Sequence, residues 1–506
     1  MTVSDLLDNT LVILPLVVLM AWACMLLLVD LAIPKDRKGW TAFLAAVGLL
    51  FSMVLAVARL GSGDLARARE VPFAEVPAMY SSPAAFGGMV SVDGFGLFLS
   101  ILFLASGLVA VAIAHDYLKR MQIERGEFYV LLLFSIGGML MMSWAADLIM
   151  VFLALEWLSI PLYILAGFAR PRLDSEESAL KYFLLGAYAG AFVVYGTALI
   201  FGATRTTALA GIVLAVQAQT ANLVLLTIGA ALVLVGLGFK VSAVPFHMWT
   251  PDVYQGAPTP VSAFMSVAAK AAGFAALLRV FVRAFPAIAF DLAPVIWGLS
   301  ALTMFLGNFL AIAQSNIKRL LAYSSIAHAG YILMALVTFG QARVSADAVA
   351  SGLFYLLAYA FTSFGAWAVV ICLEKAEGES PTGLELSDYA GLGRKHPALA
   401  AAMTVFMLSF TGVPPTLGFL GKFFLFRTVI EGGYLGLALI GMLTSLVSAY
   451  YYLRIVVIMY MRDGEPEVRR ETWVRLTALA SAILVVALSI FASPLFDWAA
   501  KAVMGF

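Results

Sequence analysis

Charge is scarce in this 506-residue chain. Asp, Glu, Lys and Arg make up 12% of it, about half the roughly 25% of ordinary globular chains. So little charge excludes a soluble domain, and it equally excludes a disordered chain, which would carry more. The net charge of +1 leaves no basic surface for nucleic acid. Cysteine is almost missing: Cys24 and Cys372 lie in separate apolar runs, which argues against a disulfide framework or an iron–sulfur cluster on this chain. His115, His247, His328 and His396 stand in four segments without metal-ligand spacing. There is no G-x-G-x-x-G; Gly391-Leu-Gly393 runs on into Arg394, Lys395 and His396. No nucleophile–base pattern is readable. No cofactor is therefore expected on this chain, and any redox chemistry belongs to another. The start carries Asp5 and Asp8 and no basic residue, so the first apolar segment is expected to be a retained span, not a cleaved signal.

What is abundant is apolar: 63% of the residues are hydrophobic. A span needs about 20 apolar residues to cross roughly 30 Å of hydrocarbon. Runs between polar breaks predict fourteen spans, at 10–33, 40–60, 94–115, 128–145, 147–168, 176–202, 221–246, 258–283, 288–313, 317–340, 347–373, 397–430, 434–461 and 473–503. The expected fold is an all-α polytopic membrane protein forming one membrane domain over 1–506. It divides into three N-terminal spans (10–115), a first repeat (128–283), a second repeat (288–461) and a last span (473–503). The repeats are spans 4–8 and 9–13, each with a broken penultimate helix, 7 and 12. Five spans per copy force the two copies to be inverted. The stretch 61–93, with Pro72, Pro77 and Pro83, reads as a loop. One alternate set of loops carries sixteen Lys and Arg residues, the other four: Arg67, Arg69, Arg205 and Arg343. The positive-inside rule puts the richer set in the cytoplasm and both termini outside.

A few ionisable residues fall within spans: Glu156, Lys181, Lys240, Lys270 and Lys422, with His328 also at mid-span. A charge at the bilayer centre costs about 2.5–3.5 kcal/mol even on the lenient insertion scale. Such residues pair, line water or do work; structural ion pairs and snorkelling stems are the plainer alternative. Pro161 follows Glu156 by five residues, and Pro245 follows Lys240 by five, so each frees a carbonyl beside an ionisable group. Pro414-Pro415 breaks the overlong twelfth span, with Lys422 two turns beyond. Broken helices with titratable residues at mid-depth are how secondary transporters build ion sites. Burial favours a neutral lysine and a nearby carboxylate favours a charged one, so a lysine can exchange a proton when its partner moves. Lysine offers only donors, which favours H⁺ over a metal cation as cargo. Arg454, close to the inside face, reads as a snorkelling residue, and His328 as either a satisfied core histidine or a relay member.

Five segments carry a resemblance. They are Ala154-Leu-Glu156-Trp-Leu-Ser-Ile-Pro161, Ala179-Leu-Lys181-Tyr-Phe, Gly238-Phe-Lys240-Val-Ser-Ala-Val-Pro245-Phe-His247-Met-Trp-Thr-Pro-Asp252, Ser324-Ser-Ile-Ala-His328-Ala-Gly330-Tyr and Pro414-Pro-Thr-Leu-Gly-Phe-Leu-Gly421-Lys422. Together they resemble the antiporter-like membrane subunits of NADH:quinone oxidoreductase, respiratory complex I, over nearly the whole chain. Tyr254-Gln-Gly-Ala-Pro-Thr-Pro260, and a lysine rather than a glutamate at 422, are most similar to the N-type branch. The resemblance implies a proton relay: Glu156 as the paired acid, Lys181 its neighbour, Lys240 the central protonatable group, Lys270 and His328 the continuing axis, and Lys422 the exchanger with the far side. It implies a bacterial inner membrane, with the lipid bilayer, a neighbouring antiporter-like subunit and small quinone-side membrane subunits as partners. Flavin, iron–sulfur clusters and quinone would sit on partner subunits. Two other readings stand beside it: a subunit of a multi-chain cation/proton antiporter without redox input, and a non-transporting scaffold whose buried charges set packing register.

Overall fold

The computed structural model describes residues 3–34, 37–60, 84–341, 344–377 and 380–503. Most of the expected 61–93 loop, including its three prolines, lies outside the described residues, as do Arg67, Arg69 and Arg343 of the loop-charge argument. Thirteen described helices are long and apolar enough to cross a membrane. They are α1 (Leu14–Ala32), α2 (Gly39–Leu60), α3 (Gly94–Arg120), α4 (Glu127–Trp144), α5 (Leu148–Ala166), α6 (Leu173–Thr204), the first half of α7 (α7a, Leu223–Val241), α8 (Thr259–Ala284), α9 (Ala289–Ile312), α10 (Ile317–Val337), α11 (Ser345–Leu373), α13 (Leu435–Met461) and α14 (Thr472–Ile490). The fourteenth crossing, α12, is made of two shorter pieces, α12a (Pro397–Thr411) and α12b (Leu417–Glu431). The second half of α7, α7b, is Trp249–Gly256.

Local chemistry sets these boundaries. Asp93, Asp147, Asn222, Asn316 and Thr416 each accept a backbone N–H at the start of α3, α5, α7a, α10 and α12b, satisfying donors a helix start leaves orphaned. The cap by Asp147 explains why three residues suffice to separate α4 from α5. Pro161 leaves α5 continuous. At Pro245 the outcome is stronger than a kink, because α7a ends outright at Val241. Both broken helices stop with the same device. Ser242 (φ 64°) and Gly412 (φ 90°) adopt the left-handed conformation. Their N–H groups reach Phe239 O and Ser409 O, and the next N–H groups, of Ala243 and Val413, reach back to Gly238 O and Leu408 O. This is a Schellman termination, which leaves the last carbonyls of the half-helix facing the break.

The packing repeats as well. α4 lies on α5 as α9 lies on α10, and α6 lies on α7 as α11 lies on α12. In the first of these equivalent pairs a glycine brings the backbones together: a Cβ on Gly138 would lie 2.4 Å from Leu158 N, and one on Gly307 2.6 Å from Ala327 N. Helices in lipid pack by such close approach, since apolar transfer between them gains little. α8 and α10 are enclosed on all sides and α11 nearly so, while α6 and α14 show broad apolar faces outward. Two short ribbons complete the chain: β1 (Ala84–Ala85) with β2 (Val90–Ser91), and β3 (Lys375–Glu377) with β4 (Ser380–Thr382).

Three details differ from the expected spans. The 473–503 stretch breaks at Phe491, and Ala492–Val503 turns back as an amphipathic helix on α3 and α11, with Trp498 against Phe98 at 4.3 Å between ring centroids. Its polar residues Asp497 and Lys501 are too far apart to read as a break in a hydropathy window. A short helix, Leu209–Gln217, sits between α6 and α7a where only a loop was expected. α6 begins at Leu173 and not 176, which moves Lys181 away from its expected depth.

Candidate functional site

Lys240 occupies the last turn of α7a and is 3% exposed. Its ammonium donates to Ser159 Oγ of α5 (2.8 Å) and to Tyr182 OH of α6 (2.9 Å), with Nζ 5.2 Å from the Tyr182 ring centroid. Ser159 donates in turn to Leu155 O at 2.5 Å. The Tyr182 hydroxyl makes no second hydrogen bond among the described residues, so its proton is uncommitted. Tyr182 stacks on Trp249 (4.5 Å, 11° between planes), and Trp249 Nε1 donates to Phe239 O at 3.0 Å. The break in α7 is thereby closed from the side, with α7b held against α7a.

Glu156 lies one turn before Ser159 on the same face of α5. It acts on Lys240 electrostatically, yet no ion pair joins the two among the described residues. Its Oε1 occupies room left by Gly190 of α6, where a Cβ would approach to 2.8 Å. Lys181 is not its partner. The Lys181 ammonium pairs with Glu177 (2.6 Å) and Asp252 of α7b (2.7 Å), and its side chain is 40% exposed. Asp252 also receives Arg319 of α10 at 2.8 Å. α7b is thus tied by one carboxylate to both repeats.

The axis continues through α8. A π-helical turn, Met265–Ala269, precedes Lys270 and rotates the helix there. Lys270, 2% exposed, donates to the Ser325 carbonyl (2.8 Å) and hydroxyl (2.5 Å) of α10. One turn further, His328 lies between Tyr355 OH (2.6 Å to Nδ1) and Tyr452 OH (3.1 Å to Nε2), and Tyr452 also bonds Ser324. A neutral imidazole has one donor and one acceptor nitrogen, so the two tyrosines satisfy it fully. Lys422, 4% exposed, folds back onto its own broken helix. It donates to Phe410 O (2.7 Å), Thr411 O (3.0 Å) and Ser445 Oγ (2.7 Å), and Nζ stands 4.7 Å from the Tyr331 ring centroid. Ser445 Oγ donates to Thr411 O at 3.0 Å, so toward Lys422 it accepts. Three acceptors match the three donors of an ammonium, and the carbonyl end of α12a adds the negative pole of its dipole.

Sequence reading missed several groups. The hydroxyls of Ser159, Tyr182, Ser325, Tyr355, Tyr452 and Ser445 give no signal, because Ser and Tyr are common in apolar helices. Lys318, one of the sixteen Lys and Arg residues that read as cytoplasmic loop charges, is fully buried and donates to Ala257 O at 2.7 Å. Near it Glu374, equally buried, accepts from Tyr117 OH (3.0 Å) and Thr259 Oγ1 (2.5 Å). Arg279 went unremarked inside α8, where it grips Asp93 with two bonds of 2.8 and 2.7 Å. Arg454 caps the end of α9, donating to Ile312 O (3.0 Å) and Gln314 O (2.7 Å). Among the described residues no group of three His, Cys, Asp or Glu side chains is placed to hold a metal ion.

Known proteins are similar to this chain in sequence and fold. The profile of one family, NADH:quinone oxidoreductase/Mrp antiporter, TM, matches residues 145–448. The NADH-quinone oxidoreductase subunit N of Trichlorobacter lovleyi is 46% identical over 479 residues, covering 94% of this chain and 92% of that one. Among solved structures, a chain of respiratory complex I from Thermus thermophilus is 36% identical with a TM-score of 0.75, covering 96% of this chain and 98% of that one. A chain of the Mrp complex from Dietzia sp. has a TM-score of 0.82 at 19% identity, over 98% of this chain and 97% of that one. That last likeness is one of fold alone.

Proposed function

We propose, from the premise that this chain belongs to the NADH:quinone oxidoreductase/Mrp antiporter family of membrane subunits, that it is a proton-translocating subunit of a bacterial NADH:quinone oxidoreductase. It moves H⁺ while the redox chemistry proceeds on other chains. Flavin, iron–sulfur clusters and quinone belong to those partner subunits, and this chain catalyses no redox step. It stands in the bacterial inner membrane with both termini outside. The other membrane-arm subunits cover its flanks, a neighbouring antiporter-like subunit on one side and the small quinone-side subunits on the other.

The observation that carries this reading is the pair of broken helices, each with a buried lysine at its break, with Lys270 and His328 buried on the enclosed helices α8 and α10. Lys181 stands at the cytoplasmic mouth beside Asp252. Lys240 takes up the proton. Its charged form is favoured through space by Glu156, and its neutral form is accommodated because Tyr182 can turn its hydroxyl from acceptor to donor. Lys270 and His328 pass the proton on, and Lys422 delivers it outward. A metal cation has no comparable path, since four of the six groups are lysines, which offer only donors.

NADH-driven acidification of inverted vesicles tests this. In assembled complexes carrying Lys240→Ala or Lys422→Ala, proton flux should be lost while NADH oxidation by an artificial acceptor in the peripheral arm continues. Flux at the wild-type level in both would overturn the reading. Purification through this chain separates the antiporter alternative, because only the redox complex brings flavin and iron–sulfur subunits. Orientation is checked on a background without Cys24 and Cys372: single cysteines at Thr220 and Lys395 should label from opposite sides, Lys395 from the cytoplasm.

A further inference from the structure

Tyr254 belongs to α7b and is completely buried, and its hydroxyl has no hydrogen-bond partner. A buried hydroxyl without a partner is destabilising, so a phenylalanine there would be the more stable choice for packing alone. The ring does not drift. It meets Trp249 edge-on at 6.0 Å and Trp367 at 6.3 Å between ring centroids, and Ser262 Oγ donates to its carbonyl at 2.8 Å.

Its place in the fold gives the hydroxyl a use. On one side Trp249 stacks on Tyr182, the tyrosine that holds Lys240, and Tyr182 and Tyr254 lie within electrostatic reach of each other. On the other side Tyr254 faces Ser325, the residue that holds Lys270, with Tyr359 beside it. No direct hydrogen bond joins the Lys240 pocket to the Lys270 pocket among the described residues. The hydroxyl of Tyr254 is a buried polar group that interacts with the residues of both pockets.

We infer that Tyr254 is the relay hydroxyl through which a proton passes from the Lys240 pocket to the Lys270 pocket; this rests on the proton-relay reading above. A proton arrives at Oη from the Tyr182 side as the original hydroxyl proton leaves toward Ser325 and the Lys270 amine. Tyr254 is neutral before and after. In the structure the link is open: Oη makes no hydrogen bond of ordinary length, Ser325 is its polar neighbour on the Lys270 side, and the passage is made when α7b brings the hydroxyl to both sides. Asp252, two residues before Tyr254, ties this segment to Lys181 and Arg319, so charge changes at the mouth bear directly on its position.

The test is Tyr254→Phe in the assembled complex, with Lys240→Ala beside it. Proton flux should fall about tenfold in Tyr254→Phe, less than the 10²–10⁴-fold of a fully committed proton-transfer group because water can partly replace a hydroxyl. Assembly on a native gel and thermal stability should be equal or better. If Lys240→Ala pumps normally, the relay reading itself fails. If Lys240→Ala loses flux and a well-assembled Tyr254→Phe pumps normally, the Tyr254 step alone is overturned. Should Tyr254→Phe not assemble, difluorotyrosine at position 254 keeps the shape and changes hydroxyl acidity. A displaced pH profile of pumping supports the relay, and an unchanged profile overturns it.

Discussion

The breaks in α7 and α12 share one backbone device and serve it differently. Each half-helix ends in a left-handed residue and a Schellman pair of bonds, and each break has a buried lysine beside it. Lys240 precedes its break and reaches outward to hydroxyls on α5 and α6. Lys422 follows its break and turns back to the carbonyls that the break released. Hydroxyls can accept or donate, whereas carbonyls only accept. The first site therefore accommodates a lysine in both protonation states, while the second is built around the ammonium. Repetition of the fold does not imply repetition of the chemistry: in the proposed relay the first site would load and unload readily, and the second would hold its proton until its surroundings change.

The largest expected contrast is between truncations at the two breaks. Lys240→Ala leaves Ser159 bonded to Leu155 O and strands no backbone group. Lys422→Ala removes the donor from Phe410 O, at a cost of about 1–3 kcal/mol for a stranded buried group, while Thr411 O keeps Ser445 Oγ. Both should lose pumping; Lys240→Ala strands only the Tyr182 hydroxyl, which can turn, so Lys422→Ala, which strands a fixed carbonyl, should lower the thermal midpoint of the purified complex further. Equal midpoints would erase the distinction. Next in size, Tyr182→Phe deprives Lys240 of its reversible partner and should cut flux about tenfold, equivalent to about 1.4 kcal/mol on the barrier. Ser445→Ala leaves Lys422 two carbonyls and should be milder; a reversed order in flux measurements would contradict the assignment of roles. Glu156→Gln removes an attraction that acts without contact. At an effective dielectric of a protein near water it is worth roughly 1 kcal/mol, a fivefold loss of flux with electron transfer intact. Smallest is Lys181→Gln. Its pairs are partly exposed, so the change should stay within about 1 kcal/mol, and Asp252 keeps Arg319. A collapse of pumping in that variant would place Lys181 at the core of the relay and not at its mouth.

These contrasts also mark what was legible in the sequence. Lys240, Lys270 and Lys422 stand out because a charge among apolar residues is costly, and Pro245 and Pro414-Pro415 announce the breaks beside two of them. The depth of a residue near a helix start is less legible. Lys181 lies two turns into α6, where a long side chain reaches Asp252, 71 positions away in sequence. Lys318 lies at the start of α10 and reads as a loop charge until the turn after α7b brings the Ala257 carbonyl to it. The hydroxyl partners stay silent because hydropathy scores Ser and Tyr nearly neutrally whether or not a lysine faces them. The pairing of Glu156 with Lys240, and not Lys181, depends on which helix lies opposite α5, which no local pattern encodes.

The central claim is that Lys240 must give up its proton, and arginine tests it. Arginine keeps the positive charge opposite Glu156 but does not deprotonate in proteins. NADH-driven proton flux should be measured in vesicles holding the complex with Lys240→Arg, after a native gel has shown full assembly. The account predicts a loss nearly as deep as that of Lys240→Ala. Normal pumping by a well-assembled Lys240→Arg complex would show that a fixed charge suffices at this break, and that deprotonation of Lys240 is no part of the mechanism.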